Sequence, residues 1–284
     1  MKFPWDKYEE IPIERRNTLQ VFITNRCNLS CTGCFARKVM ADSDKDIELT
    51  EYIKVVDKFK NKGGEQINLL GGEPLLHPNL KQILAINKLA KIKTKIYTNG
   101  TLLDRFSFDD FYGIKLRVSV YSYDGKNKDL ASIKTILPID VNYMIAKETT
   151  IDDLMHVASC SDYHLNAKVF FISSIRELDN ENKEFFEDTD LTMPILEYKA
   201  LVHKFLNKYN GDMDIHVSKR GVFESTVSQC GNKCRFANYF IGGKIIQCPY
   251  DVVNLKYQDD YEFDKRYCQQ SSSCLMSKVI YRKK

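Results

Sequence analysis

The 284-residue chain is 43% hydrophobic and 28% charged, enough apolar material for one good core and a small second one. Its 42 Lys+Arg nearly cancel 38 Asp+Glu, leaving +4, with no basic block beyond the terminal "YRKK", so a nucleic-acid partner is disfavoured. No apolar run nears the roughly 18 residues of a membrane span, and the opening "MKFPWDKYEEIPIERRN" lacks the apolar stretch of a signal peptide, so no membrane partner and a cytoplasmic location are expected.

Residues 1–17 read as an N-terminal arm, with Trp5, too short for a separate leader-peptide domain. From 18 to 218 strand-like runs alternate with amphipathic helical patterns. "LQVFIT" (19–24) is a buried strand by its β-branched and aromatic residues. "LTEYIKVVDKFKNKGG" spaces Tyr52, Val55, Val56 and Phe59 for one helical face, offers Thr50 as N-cap and ends on Gly63 and Gly64. The alternation continues with strand "QINLL", a helix over about 78–91, strand "TKIYT", an irregular link and strand "LRVSV". A helix over about 128–136, strand "VNYMIA", a helix over about 151–159, strand "AKVFFI", a helix over about 195–208 and strand "MDIHV" complete it. This order predicts an α/β fold, a parallel sheet with helices outside that is either a whole barrel or a partial (βα)6 TIM-like barrel. Residues 219–284 read as a small cysteine-rich α+β extension.

In such an architecture the loops after the strands converge on one ligand-binding face. Four marked stretches belong there: the cysteine loop after the first strand, "GGEPLLHP" (71–78) after the second, "NGT" (99–101) after the third and "SVYSYDG" (119–125) ending the fourth. The nine cysteines are an odd count and cluster at 27–34 and 230–274, which favours metal or redox chemistry over disulfides. Cys160 stands apart and reads as a buried small hydrophobe, with hydrogen-atom donation to a substrate radical as the alternative. "NRCNLSCTGCFARK" stops at three cysteines, Cys27, Cys31 and Cys34, where structural zinc sites usually close with a fourth protein ligand. A cubane cluster on three cysteines leaves one iron open, and an open position is what a reactive site needs. A zinc knuckle would require a distant fourth ligand such as His77 or His164; His77 itself reads as a structural loop residue.

Cys27-x3-Cys31-x2-Cys34, "GGEP" one βα unit later, "TNG" at the third strand end and a serine on the fourth strand together resemble the radical S-adenosylmethionine superfamily over most of residues 18–218. The resemblance implies a 4Fe-4S cluster on the three cysteines whose open iron chelates S-adenosylmethionine. One electron then yields methionine and a 5'-deoxyadenosyl radical that removes hydrogen from a substrate carbon. Gly71, Gly72 and Glu73 would hold the methionine amino group, with Pro74 shaping the loop; Asn99, Ser119 and, on the fifth strand, Asn142 are candidate contacts to ribose or carboxylate. The residue before the third cysteine, often aromatic in the family, is here Gly33, and Phe35 is the nearby substitute.

In the extension, Cys230, Cys234 and Cys248 flank a hairpin expected at Gly242 and Gly243, and Cys268 and Cys274 follow. This pattern resembles the short auxiliary-cluster extension called a twitch domain, related to SPASM, and implies one auxiliary iron-sulfur cluster drawing on five candidate ligands. A structural zinc stapling a small domain is the alternative. Four ligands would suit electron transfer, three would suit substrate binding. The acidic loop 173–194, with Phe185 and Phe186, either covers a substrate or is a solvated surface. The functional readings are oxidation or epimerisation of a small polar metabolite, modification of a ribosomally made peptide, or a non-catalytic iron-sulfur or zinc protein. A low-potential donor such as flavodoxin or ferredoxin is the expected electron partner.

Overall fold

The computed structural model describes residues 7–11, 16–31, 34, 36, 45–121, 133, 137–174, 191–218, 230–233, 235–247, 257–263, 267–268 and 278–284. After a short strand β1 (Tyr8–Ile11) come seven strands: β2 (Thr18–Thr24), β3 (Gln66–Gly71), β4 (Lys93–Thr98), β5 (Lys115–Tyr121), β6 (Ile139–Ile145), β7 (Val169–Ser174) and β8 (Asp214–Ser218). Each of these seven pairs in parallel with the next. Helices α1 (Leu49–Asn61), α2 (Leu80–Leu89), α3 (Ile151–Tyr163) and α4 (Ile195–Lys208) lie between them. The result is a mixed α/β fold with a mostly parallel sheet, as the alternation predicts. The helix expected near 128–136 falls outside the described residues.

Local chemistry sets these elements. Helix α1 buries Tyr52, Val55, Val56 and Phe59, the stripe read from its spacing. Its N-cap is Glu48 without a side-chain cap bond, so Thr50 lies inside the first turn instead of capping it. Helix α3 is entered through a capping box, in which Thr150 Oγ1 accepts from the Asp153 amide and the Asp153 carboxylate accepts from the Thr150 amide.

The segment after residue 218 joins both edges of the sheet. Strand β9 (Cys230–Lys233) is followed by β10 (Phe236–Phe240), which runs parallel to β2 and returns as β11 (Lys244–Ile246). The hairpin turn uses Gly242 and Gly243, at φ +84° and +83°, a left-handed pair that glycine adopts without steric cost. Strand β12 (Tyr267–Cys268) pairs with β9, and β13 (Lys278–Lys283) lies antiparallel between β8 and β1. The full order is β1-β13-β8-β7-β6-β5-β4-β3-β2-β10-β11. Helix α1 also clamps this segment. Its Glu51 carboxylate accepts from Tyr239 Oη and the Gly242 amide, both at 2.8 Å, and Lys58 and Lys62 hold Asp260 at 2.9 and 2.8 Å. Phe263 meets Phe59 edge to face.

Alternation along the strands separates two faces. Ile96, Leu116, Val118, Val120, Ile139, Val141 and Tyr143 turn into the main core, which the helices complete. The opposite, inner face carries Tyr97, Arg117, Ser119, Asp140, Asn142 and Phe171. These polar positions set the inner face apart from the packed apolar core of a closed barrel.

Candidate active site

The cysteine loop leaves β2 and returns to it, and its base is closed from several sides. The Asn25 amide donates to Lys45 O and the Ile47 amide to Ile23 O, each at 2.8 Å. Arg26 grips Asp46 with Nη2 at 2.7 Å and Nε at 3.2 Å, then donates Nη2 to Leu76 O at 2.8 Å. The guanidinium therefore ties both ends of the loop to the turn after β3. Cys27, Cys31 and Cys34 are half-buried thiols. The Leu29 amide donates to Cys27 Sγ at 3.5 Å. Cys34 rests against Phe22, Leu70 and the hairpin residues Phe240 and Ile246, with Phe22 and Phe240 stacked at 4.4 Å.

The glycines after β3 have a demand on them besides any ligand. The Gly72 amide donates to Thr24 O at 2.8 Å and the Glu73 amide to Arg26 O at 2.7 Å. A Cβ on Gly71 would run into Thr24 O, and one on Gly72 into Arg26 O and Cys27 Cβ. Only bare backbone lets this turn lie against the root of the cysteine loop. Pro74 opens the following 3-10 turn Pro74–Leu76.

Glu73 is 1% exposed. Its Oε1 accepts from the Leu75 amide at 3.0 Å and Thr98 Oγ1 at 2.7 Å, and its Oε2 from the Asn99 amide at 2.6 Å. The carboxylate thus joins the turn after β3 to the turn after β4. Asn99 continues the chain of bonds: its Nδ2 donates to Asn28 Oδ1 at 2.8 Å, Asn28 Nδ2 donates to Thr101 Oγ1 at 2.8 Å, and Thr101 Oγ1 donates to Asn99 Oδ1 at 2.6 Å. This closed triangle links the cysteine loop to the turn after β4. Further round, Ser119 and Asn142 are register partners across β5 and β6, and Ser173 Oγ donates to Asn142 Oδ1 at 2.9 Å. Of the expected residues, Gly71, Gly72, Glu73, Pro74 and Asn99 stand at the C-terminal ends of β3 and β4, and Ser119 and Asn142 lie side by side within β5 and β6.

Sequence reasoning missed Arg26, Asp46, Asn28, Thr98, Thr101 and Ser173. Asn28 and Arg26 sit inside the quoted cysteine motif and Thr98 directly precedes Asn99, so adjacency to motif residues was the available signal. His77 is structural, as expected: its Nδ1 accepts the Asn79 amide at 3.1 Å, which leaves the proton on Nε2 for Ile47 O at 3.1 Å. Burial holds its pKa below the ordinary histidine value. With both ring nitrogens engaged, His77 is not poised to close a zinc site, and His164 is exposed at the end of α3.

Among the described residues no three His, Cys, Asp or Glu side chains stand ready as a metal set. The donors nonetheless fit a cubane cluster: three soft thiols share one loop whose ends are fixed, an amide aims at one sulfur, and an apolar wall backs another. Of the C-terminal candidates, Cys234, Cys248 and Cys274 lie outside the described residues, as do Gly33, Phe35 and most of the loop 173–194. The backbones of Cys230 and Cys268 are register partners between β9 and β12.

Comparison with known proteins agrees with this geometry. Residues 21–119 match the model of the Radical SAM superfamily. The chain is 24% identical over 193 residues to the GTP 3',8-cyclase of Staphylococcus haemolyticus, covering 63% of this chain and 53% of that protein. It is 35% identical over 89 residues to the GTP 3',8-cyclase of Chlorobaculum tepidum, covering 31% of this chain and 27% of the relative. The chain thus spans about half or less of the length of these relatives. Among solved structures, Streptococcus suis SuiB bound to precursor peptide SuiA shares the fold with a TM-score of 0.65 at 15% identity, covering 86% of this chain and 62% of SuiB. The rim of loops after β2, β3 and β4 falls within or beside the stretch that is similar to the Radical SAM superfamily.

Proposed function

We propose that this chain binds a 4Fe-4S cluster through Cys27, Cys31 and Cys34 and cleaves S-adenosylmethionine reductively to activate a substrate C–H bond. The observation that carries this reading is the single hydrogen-bonded rim that Arg26, Glu73 and Asn28 make of the thiol loop and the turns after β3 and β4. When bound, the cluster and nucleotide together supply one-electron cleavage to methionine and a 5'-deoxyadenosyl radical. The chain's own part is positioning. The turn Gly71–Gly72–Glu73–Pro74 presents backbone beside the cysteine loop for the methionine amino group, and Asn99, Ser119 and Asn142 present amide and hydroxyl groups to ribose and carboxylate. A flavodoxin or ferredoxin is the proposed electron source, in the cytoplasm.

The first substrate reading is a small polar metabolite that is oxidised or epimerised, supported by the polar inner face. The second is a ribosomally made peptide, favoured by the fold likeness to SuiB, which was captured with its precursor peptide and is matched over 86% of this chain. We further propose that four of Cys230, Cys234, Cys248, Cys268 and Cys274 hold an auxiliary iron-sulfur cluster. The facing backbones of Cys230 and Cys268, and the hairpin held by Glu51, support it. Iron, sulfide and zinc content after anaerobic reconstitution separates this from structural zinc.

Anaerobic incubation with dithionite and S-adenosylmethionine is expected to give 5'-deoxyadenosine, and Cys31→Ala is expected to lower it to background while the fold, followed by circular dichroism, persists. A fully loaded N-terminal cluster that yields no 5'-deoxyadenosine would leave the non-catalytic reading in its place.

A further inference from the structure

Below the rim, the inner face becomes cationic. Arg117 on β5 is 5% exposed. Its guanidinium carbon lies 3.3 Å from the Phe171 ring centre and 5.0 Å from that of Tyr97, and Nη1 donates to Tyr97 Oη at 3.0 Å. Asp140 on β6 forms a long ion pair with it, 3.8 Å from Nη2 and beyond hydrogen-bond distance. Arg117 Nε is buried with no hydrogen-bond partner.

Lys95 on β4 stands beside this group, half-buried, and among the described residues its ammonium makes no hydrogen bond or ion pair. Burial pushes its pKa down to about 7, and the positive charges of Arg117, Lys115 and Arg16 act in the same direction, while Asp140 opposes them.

A purely structural floor would be apolar or fully paired, because a buried donor without an acceptor and a desolvated ammonium without a counter-charge both cost free energy. Proteins retain such costs chiefly where a ligand relieves them. The unmet groups here are all donors, and they are cationic. A guanidinium fork held flat by two aromatic rings matches the planar oxygens of a carboxylate or the face of a phosphate, and an adjacent ammonium adds a point charge.

We propose that Arg117 and Lys95 seat an anionic oxygen group of the substrate, carboxylate or phosphate, at the base of the barrel's inner face. This rests on the radical SAM reading for what the ligand is a substrate of, and narrows the polar metabolite to an acid or a phosphate ester. Arg117 is two residues before Ser119 on the same strand and face, about 6.5 Å lower at strand rise. A substrate anchored there extends upward toward the rim, where Ser119 and Asn142 stand.

The test is an anaerobic titration of the full chain with inorganic phosphate and, separately, succinate, against chloride at equal ionic strength, followed by thermal shift and calorimetry. Saturable stabilisation by one of the two anions is expected, and which anion acts assigns phosphate or carboxylate. Arg117→Gln and Lys95→Met should each weaken that anion's Kd at least about tenfold, the scale of one charge-assisted contact. Lys95→Met should also raise the melting temperature without anion, since it removes a desolvated charge, and it carries the test if Arg117→Gln does not fold. The proposal is overturned if the wild-type chain shows no saturable response beyond chloride. It is equally overturned if Lys95→Met lowers the melting temperature and leaves anion affinity unchanged. Cleavage of S-adenosylmethionine is scored separately, so an inactive protein that still binds anion contradicts only the radical reading.

Discussion

The rim and the floor of this barrel handle polar atoms in opposite ways. At the rim, groups from different loops satisfy one another: Glu73 accepts from the turn after β4, Arg26 is shared by Asp46 and Leu76 O, and Asn28 closes on Asn99 and Thr101. At the floor, Arg117 keeps a buried donor unmatched and Lys95 makes no pair among the described residues. A loop assembly must hold its shape before its cofactor arrives, so its polar atoms are committed in advance. A specificity contact gains most when its polar atoms are left for the ligand.

The largest expected effect tests whether the rim is held by its buried carboxylate. Glu73→Ala strands the Leu75 and Asn99 amides and Thr98 Oγ1 in a site that is almost fully covered. Leaving several buried donors without their charged acceptor should cost about 3–5 kcal/mol, read as a drop in urea midpoint. Glu73→Gln keeps the shape and one acceptor oxygen but turns an NH2 toward donors, so it should recover only part of the loss. A near-neutral Glu73→Ala would mean that the carboxylate is held for a ligand cation alone, and the contrast with the floor would vanish.

Gly72→Ala comes next. The added methyl meets the Arg26 carbonyl, which is backbone and cannot swing aside. Overpacking of this kind costs about 1–3 kcal/mol, and the displaced atoms belong to the root of Cys27. Iron content per chain after reconstitution should therefore fall more steeply than stability does. Equal cluster loading in wild type and variant would show that the glycine serves only the ligand.

Much of this fold was legible because parallel strands covered by helices read as β-branched and aromatic runs, and the cysteine, Gly-Gly-Glu-Pro and Thr-Asn-Gly stretches each fall at a strand end. The edge strands were not. "YEEI" and "KVIYRK" are short and charge-rich, and they become strands only because β13 slots between β1 and β8, with Tyr281 fully buried there. The cationic floor had a visible signal that went unused. "KTKIYT" and "KLRVSVY" alternate polar with apolar, whereas a strand covered on both faces reads as continuous hydrophobic sequence. That alternation marks an inner face meant to meet something other than a packed core. The bonds from Asn28 to Asn99 and Thr101 had no such signal, because they span 71 and 73 positions of chain and follow from loop geometry alone.

The smallest expected effect concerns that triangle. Asn28→Ala removes one acceptor and one donor at an exposed position, so stability should fall by no more than about 0.5–1 kcal/mol. Asn99 keeps its bonds from the Thr101 amide and hydroxyl, and so it loosens without being released. If Asn28 positions Asn99 for the nucleotide, KM for S-adenosylmethionine should rise about two- to fivefold, the equivalent of that same free energy, while kcat and iron content stay near wild type. Asn28→Asp separates the two halves of the contact, because it still accepts from Asn99 Nδ2 but no longer donates to Thr101 Oγ1. Recovery of KM in Asn28→Asp places the useful half of the contact on the bond to Asn99. Failure to recover would place it on Thr101, and the rim would then be braced through the turn after β4 instead of through the Asn99 side chain.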